Sequence, residues 1–261
     1  MRWLNYLWRL FATGLSFSLF GIGGLLLTIF VFPLISIVSR DHNLRKKRAR
    51  NVIHRSFKLF IGMMGAFGMF DFDVYRDRQK LLQSGGKIVI ANHPTLIDVV
   101  VLLAIMPHAD CIVKQGLWKN PFLRGVVRAA DYIKNSQDTD ELLESCKRSL
   151  SQGYSLIIFP EGTRTKAQGE MVLQRGASNI AIRCNADLVP VTICCQPSTL
   201  SKEESWYHIP SRKAHFLLRV EDAIEIEKFQ QQGVSLSIRA RRLTEFLKDY
   251  FIGEQKRYAR S

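Results

Sequence analysis

Disulfide chemistry has almost no foothold in this chain. Its five cysteines, Cys111, Cys146, Cys184, Cys194 and Cys195, are odd in number, show no C-x-x-C spacing and sit among apolar residues. That pattern reads as reduced, buried thiols in a domain facing a reducing cytoplasm. Zinc-ligand spacings are missing, as are the G-x-x-x-x-G-K-[ST] phosphate loop and the G-x-S-x-G nucleophile elbow. Structural zinc, P-loop nucleotide chemistry and elbow-type serine hydrolysis therefore have no support, and no metal site is expected. No internal repeat or low-complexity tract is present. Acidic residues are scarce, 23 Asp and Glu against 37 Lys and Arg, and the formal charge is +14. Such a field favours an anionic membrane surface, nucleic acid or an acidic protein partner, and charge alone does not choose among them. None of the recognised nucleic-acid-binding signatures occurs, so no nucleic-acid partner is expected.

What the chain has in quantity is a charge-free beginning. Residues 10–38 are 29 consecutive positions without a charge, and about twenty apolar residues suffice to cross a bilayer core as a helix. The run passes through Phe30, Val31, Phe32 and Pro33 into Arg40 with no small-residue cleavage site, so a retained membrane segment is expected rather than a removed signal peptide. Its surplus length accommodates either a tilted span or two short helices broken near Gly21, Gly23 and Gly24. Trp3, Tyr6 and Trp8 flank it as interfacial aromatics do. Arg40, Arg45, Lys46, Lys47, Arg48 and Arg50 follow it, against Arg2 and Arg9 before it. That imbalance predicts a cell-membrane protein with the following domain on the cytoplasmic side, and the same cluster suits anionic lipid. A second apolar stretch, residues 57–70, is too short to span and is expected in the interface or against the domain.

Beyond residue 70 short β-like runs alternate with helical periodicity. The expected fold is α/β, a mainly parallel sheet flanked by helices with an N-terminal membrane-inserted helical segment: residues 1–70 as anchor and interfacial helix, 71–261 as the enzyme domain. Candidate strands are 72–75, 87–91, 111–114, 132–133, 155–159, 188–194 and 215–220. Helices are predicted near 95–106, 120–129, 138–151 and 171–184, and from 235 to 251 with a charged tail to 261. In the third of these Leu142, Leu143, Cys146 and Leu150 share a face and Gly153 ends it.

At the end of the second strand comes Asn92-His93-Pro94-Thr95-Leu96-Ile97-Asp98. Positions five apart on one helix lie about 140° around from each other and do not pair. If the strand ends at His93 and a helix starts at Pro94, the Asp98 carboxylate folds back toward the imidazole and fixes its tautomer, making His93 a base for an attacking hydroxyl. Alone, the spacing more often marks an incidental histidine in a β–α turn, with Asp98 as a helix-start charge. A second motif, Phe159-Pro160-Glu161-Gly162-Thr163-Arg164-Thr165, also follows a strand, and in a parallel sheet the carboxyl ends of strands line one crevice. Gly162 permits a tight turn, Thr163 offers a hydroxyl, Arg164 a fork for phosphate or carboxylate, and Glu161 braces the turn or orients Arg164. The bland reading of this heptapeptide is a charged surface turn.

Together the two motifs, N-H-x-x-x-x-D and F-P-E-G-T-R, resemble the glycerolipid acyltransferase family, the lysophosphatidate acyltransferases and their relatives, over roughly residues 70–195. The resemblance implies His93 as general base with Asp98 as its partner, and Glu161, Gly162, Thr163 and Arg164 as the acceptor-binding loop. Lys114 matches a lysine common in the family, placed to reach anionic substrate groups or simply to snorkel. Arg175-Gly176 and Val189-Pro190-Val191 are similar to later family blocks, although the residues of the latter read first as packing in a buried strand. One departure stands out: where the family usually ends a strand in arginine, this chain reads Ile133-Lys134-Asn135. Lys134 restores charge there but not a bidentate contact, which widens the acceptor class beyond lysophosphatidate. The implied reaction is acyl transfer from acyl-ACP or acyl-CoA to the hydroxyl of a lysophospholipid-like acceptor, with no cofactor beyond the thioester donor. Membrane lipids and an acyl carrier protein or CoA thioester are the implied partners. The rival expectations are a membrane-tethered lipid-binding protein without turnover, and a transacylase or hydrolase using a phospholipid donor.

Overall fold

The computed structural model describes residues 2–136, 138–165 and 171–259. Its N-terminal segment is one unbroken run of helix, made of α1 (Arg2–Leu26), a π-helical turn (Leu27–Val31) and α2 (Phe32–Val38). Pro33, which has no N–H to donate, falls at the junction of the π-helical turn and α2, where the regular hydrogen-bond ladder already changes register. The helix passes straight through Gly21, Gly23 and Gly24, so of the two expectations the continuous helix is the one adopted. The irregular turn lies farther on, at Leu27–Val31. Trp3–Val38 is the one helix among the described residues long and apolar enough to cross a membrane, at 36 residues. At 1.5 Å per residue it measures about 54 Å, well beyond a hydrocarbon core of about 30 Å. Gly24 is required by close approach: a β-carbon there would stand 2.6 Å from the Phe122 carbonyl oxygen.

Asp41 caps the next helix, α3 (His42–Ala66), by accepting from Leu44 N at 2.7 Å. This helix contains the basic cluster from Arg45 onward and most of the second apolar stretch. Phe60, Ile61 and Met64 turn inward, so the stretch packs on the domain. The basic cluster is not wholly a surface feature: Arg50 is buried and paired with Asp110 at 2.8 Å, and Lys46 reaches Asp131 at 3.2 Å. Amphipathic spacing explains the correction, since Lys46 and Arg50 share the face of Ala49 and Ile53 that docks inward.

The domain proper then runs β1 (Phe70–Asp73), α4 (Arg78–Leu82), β2 (Ile88–Ala91), α5 (Asp98–Ile105), β3 (Ala109–Val113), α6 (Gln115–Lys119), α7 (Arg124–Ala129), β4 (Ile133–Lys134), α8 (Thr139–Ser151), β5 (Ser155–Ile158), α9 (Arg175–Cys184), β6 (Leu188–Gln196), β7 (Ala214–Val220) and α10 (Leu236–Ala259). The strands form one sheet in the order β1-β7-β6-β2-β5-β3-β4. Among these strands only β6 and β7 pair antiparallel, so the expectation of a mainly parallel sheet flanked by helices is met. Each expected strand is present, with ends displaced by two residues or fewer. The last helix outruns its expected end at residue 251 and continues to Ala259, tied down by Tyr258 Oη donating to Glu221 at 3.0 Å. The final residues of the expected tail, 260 and 261, lie outside the described residues.

β2 and β5 are the central neighbours, and every residue of both is buried. Ile88 and Ile90 face a core shared with α8, α9 and α10, while Val89 and Ala91 face a second core shared with α3 and α5. Burial on both faces explains why these strands read as continuous apolar runs without alternation. The second core also takes in Ala12 and Phe32 from the N-terminal helix, so apolar packing runs across the expected boundary at residue 70.

Candidate active site

Because β2 and β5 are adjacent and parallel, the segments that leave their carboxyl ends are neighbours as well. Asn92 anchors the first. Buried at the end of β2, its side chain accepts from Ile193 N at 2.7 Å and donates to Ile193 O at 2.8 Å, imitating one more rung of the β2–β6 ladder. The chain then turns, and α5 begins at Asp98 rather than at Pro94. Residues 94–97 form the corner that lets a five-residue spacing close.

His93 Nδ1 lies 2.8 Å from Asp98 Oδ2. The same carboxylate accepts from Thr95 N at 2.8 Å and from Thr95 Oγ1 at 2.5 Å. Asp98 has no exposed surface, whereas the His93 side chain keeps 19% of its own. Burial pushes the Asp98 carboxyl up, and the bonds from His93 and Thr95 oppose that rise. With Asp98 ionised and accepting, Nδ1 is the donor and Nε2 keeps its lone pair. The imidazole stacks on Phe159, centroids 4.3 Å apart, which links the first motif to the second.

Backbone bonds complete that link. Thr165 N donates to His93 O at 2.7 Å, and Glu161 Oε1 accepts from His93 N at 3.0 Å and from Thr165 Oγ1 at 2.7 Å. Glu161 therefore braces the turn, the first of its two expected uses. Buried, with its carboxyl pushed up by desolvation, it does not line the cavity beside His93, which sets it apart from the rest of the expected acceptor loop. Gly162 turns the chain at φ +65°, a left-handed conformation that a side chain would strain. Arg164 is held by Nη1 donating to Leu200 O at 3.0 Å and Ser201 O at 2.7 Å, so a loop after β6, and not Glu161, orients it.

His93, Lys114, Gly162, Thr163 and Arg164 all border one cavity of about 530 Å³. Its apolar wall comes from Ile112, Leu142, Ile157, Ile158 and Ile180, and its cations are Lys114, Arg164 and Lys202. Lys134, the lysine put forward by the departure from the family pattern, is exposed on the edge strand β4 and does not line the cavity; its neighbour Asn135 does. Lys202 escaped the sequence reading because no motif marks it. The Arg164 clamp on residues 200 and 201 is what brings it back across the sheet edge. Asn92 escaped too, since its partner is 101 positions away. Gly176 borders the cavity at the start of α9, while Val189 and Val191 are buried strand residues of β6. Cys111 also lines the cavity, but burial raises its thiol far above the usual range.

A family model described as Acyltransferase matches residues 74–194. Among curated proteins, the chain is 29% identical over 178 residues to the 1-acyl-sn-glycerol-3-phosphate acyltransferase of Helicobacter pylori, covering 64% of this chain and 69% of that one. It is 25% identical over 144 residues to the human 1-acyl-sn-glycerol-3-phosphate acyltransferase beta, covering 52% of this chain and 49% of that protein, about half its length. Among solved structures, the 1-acyl-sn-glycerophosphate (LPA) acyltransferase PlsC from Thermotoga maritima superposes with a TM-score of 0.66 at 19% identity, over 98% of each chain. That likeness is one of fold.

Proposed function

Because the chain belongs to the glycerolipid acyltransferase family, and is thus an O-acyltransferase, we propose that it moves a fatty acyl group from a thioester donor, acyl-ACP or acyl-CoA, to the hydroxyl of a lysophospholipid-like acceptor. The acceptor class, 1-acylglycerol-3-phosphate or a relative, is what the curated relatives are named for. The observation that carries the reading is the 2.8 Å contact between a wholly buried Asp98 and His93, which borders a cavity lined by three cations and an apolar wall.

In this mechanism His93 Nε2 removes the proton from the acceptor hydroxyl as its oxygen attacks the thioester carbonyl. The tetrahedral adduct collapses, the C–S bond breaks, and the departing sulfur takes the proton from the imidazolium. Asp98 holds the ring in the Nδ1–H tautomer and stabilises its charged form. Lys114, Arg164 and Lys202 suit an anionic head group, Gly162 and Thr163 shape the loop beside it, and Glu161 supports that loop from behind. The apolar wall suits an acyl chain. The long N-terminal helix supports residence at the cell membrane, and the Arg and Lys cluster after it supports a cytoplasmic active site.

The test is acyl transfer by purified protein in mixed micelles, with labelled acyl-ACP and acyl-CoA offered to a panel of lysolipids beside His93→Ala. Label is expected in a lysophospholipid only with His93 intact. Turnover that survives His93→Ala would refute the assigned base, and release of free fatty acid with no thioester present would favour a hydrolase.

A further inference from the structure

Arg9 plays no part in the mechanism above, yet it is 4% exposed on the face of α1 that packs inward. Its Nε and Nη1 are fully buried, and no hydrogen bond or ion pair engages the guanidinium among the described residues. A buried, unpaired cation is among the costliest arrangements a fold retains, and in a membrane-facing helix it marks a function by default. Arg9 borders a small, partly open cavity of about 20 Å³, lined by Thr13 from its own helix, Met69 and Phe70 from the start of the sheet, and Thr199, Leu200, Ile209 and Pro210 from the chain between β6 and β7. No carboxylate lines it among the described residues. The space suits one water-sized atom, which is the room that a phosphoryl oxygen needs.

Two independent elements fix the depth of this cavity. Trp3, Tyr6 and Trp8 stand exposed on α1 just before Arg9, and Trp206 and Tyr207 stand exposed on the β6–β7 connection, with Trp206 packed 3.4 Å from where a β-carbon of Gly14 would lie. Aromatic side chains on such surfaces gather at the headgroup level of a bilayer. The uncharged run begins at the next residue, Leu10. We propose that Arg9, with Thr199 facing it, forms a seat for the phosphate of a bilayer phospholipid, separate from the catalytic cavity, which joins the N-terminal helix to the β6–β7 connection; the Thr13 hydroxyl is engaged in donating to the Arg9 carbonyl at 2.7 Å. That connection is the one whose residues 200 and 201 hold Arg164. The proposal rests on the membrane-associated reading of α1 and is independent of the role of His93.

The experiment follows thermal unfolding of the full chain in neutral maltoside micelles. The micelles are doped with dioleoyl phosphatidylglycerol or with dioleoylglycerol, which has the same chains without phosphate, or the buffer carries inorganic phosphate. For the unsubstituted protein, phosphatidylglycerol is expected to raise Tm by about 5 °C above dioleoylglycerol. In Arg9→Met the difference should shrink to about 1 °C or less, while Tm without phospholipid stays level or rises because an unpaired charge is gone. Thr199→Leu, which fills the cavity from the opposite side and leaves Arg9 in place, should lose the response as well. An undiminished phosphatidylglycerol response in both variants overturns the proposal. So does an equal shift from dioleoylglycerol, or a full shift from inorganic phosphate, which would make this a free-anion site. Flotation with phosphatidylglycerol vesicles should persist in Arg9→Met; its loss would make Arg9 a general anchor and overturn the assignment of a specific seat.

Discussion

Asp98 accepts three hydrogen bonds with no water-facing surface, so its value to His93 is orientation as much as charge. An amide in its place presents an N–H to Nδ1 and favours the tautomer with Nε2 protonated, which is no base. Asp98→Asn should therefore lower kcat by about 10²- to 10⁴-fold, with a much smaller change in acceptor KM. Initial rates across an acceptor titration check this, and an unchanged kcat would remove Asp98 from the mechanism. The thiols make the complementary case. Burial pushes Cys195 and Cys146 up to about 12 and Cys184 and Cys194 to about 11. The thiolate is the charged form that burial disfavours, so at about pH 8 these groups stay protonated and unreactive. Iodoacetamide at that pH should leave activity intact, whereas rapid inactivation with one thiol labelled would support an acyl-cysteine route. The catalytic candidates were legible at this scale because a five-residue spacing at a strand end is local. Lys202 was not, since it acquires its place only through a carbonyl clamp from a distant turn.

The element that matters most to the site is the corner after β2, and its stability comes from Asn92. Replacing it with Leu leaves the Ile193 N–H and C=O unpaired inside the sheet, which should cost about 2–4 kcal/mol, read from the urea midpoint in micelles. At the facing turn, Gly162→Ala imposes a left-handed φ on a residue with a β-carbon, at about 1–2 kcal/mol. Its larger effect should fall on activity, because the turn carries Thr163 and Arg164. The inner strands could be read from sequence because apolar, largely β-branched runs bounded by Gly, Pro and polar residues recur along the chain, and β1 because Phe and Asp alternate in it. The inward face of α3 could not. Arg50 and Lys46 look like members of a surface cluster, and only the tertiary partner Asp110, itself buried, reveals that they face the core. Arg50→Ala should leave that carboxylate with Lys46 at 3.9 Å as its remaining cation and Ser149 as its side-chain donor, and destabilise the protein by about 3 kcal/mol, again by urea titration.

At the scale of the molecule, the membrane segment and the enzyme domain share a core. Ile53, Phe60, Ile61 and Met64 of α3 lie in one apolar cluster with Val101, Leu102 and Ile105 of α5. A chain truncated by residues 1–66 to obtain a soluble catalytic fragment should aggregate, since the truncation uncovers the outer face of α5. A monodisperse, cooperatively unfolding fragment would show that the domain stands alone. The order of the strands carries one more consequence, for the chain as it emerges from the ribosome. β2 must pair with β5 some 68 positions later and with β6 about 100 positions later, and such distant closures are slow to form. The N-terminal helix leaves the ribosome long before either partner strand exists. Lipid contact can therefore precede sheet assembly, and the cross-motif scaffold around His93 closes only after β5 and β6 have arrived. On this route the long apolar helix is available first and the candidate active site is completed last, so the chain gains its chemistry only after its N-terminal helix has found its surroundings.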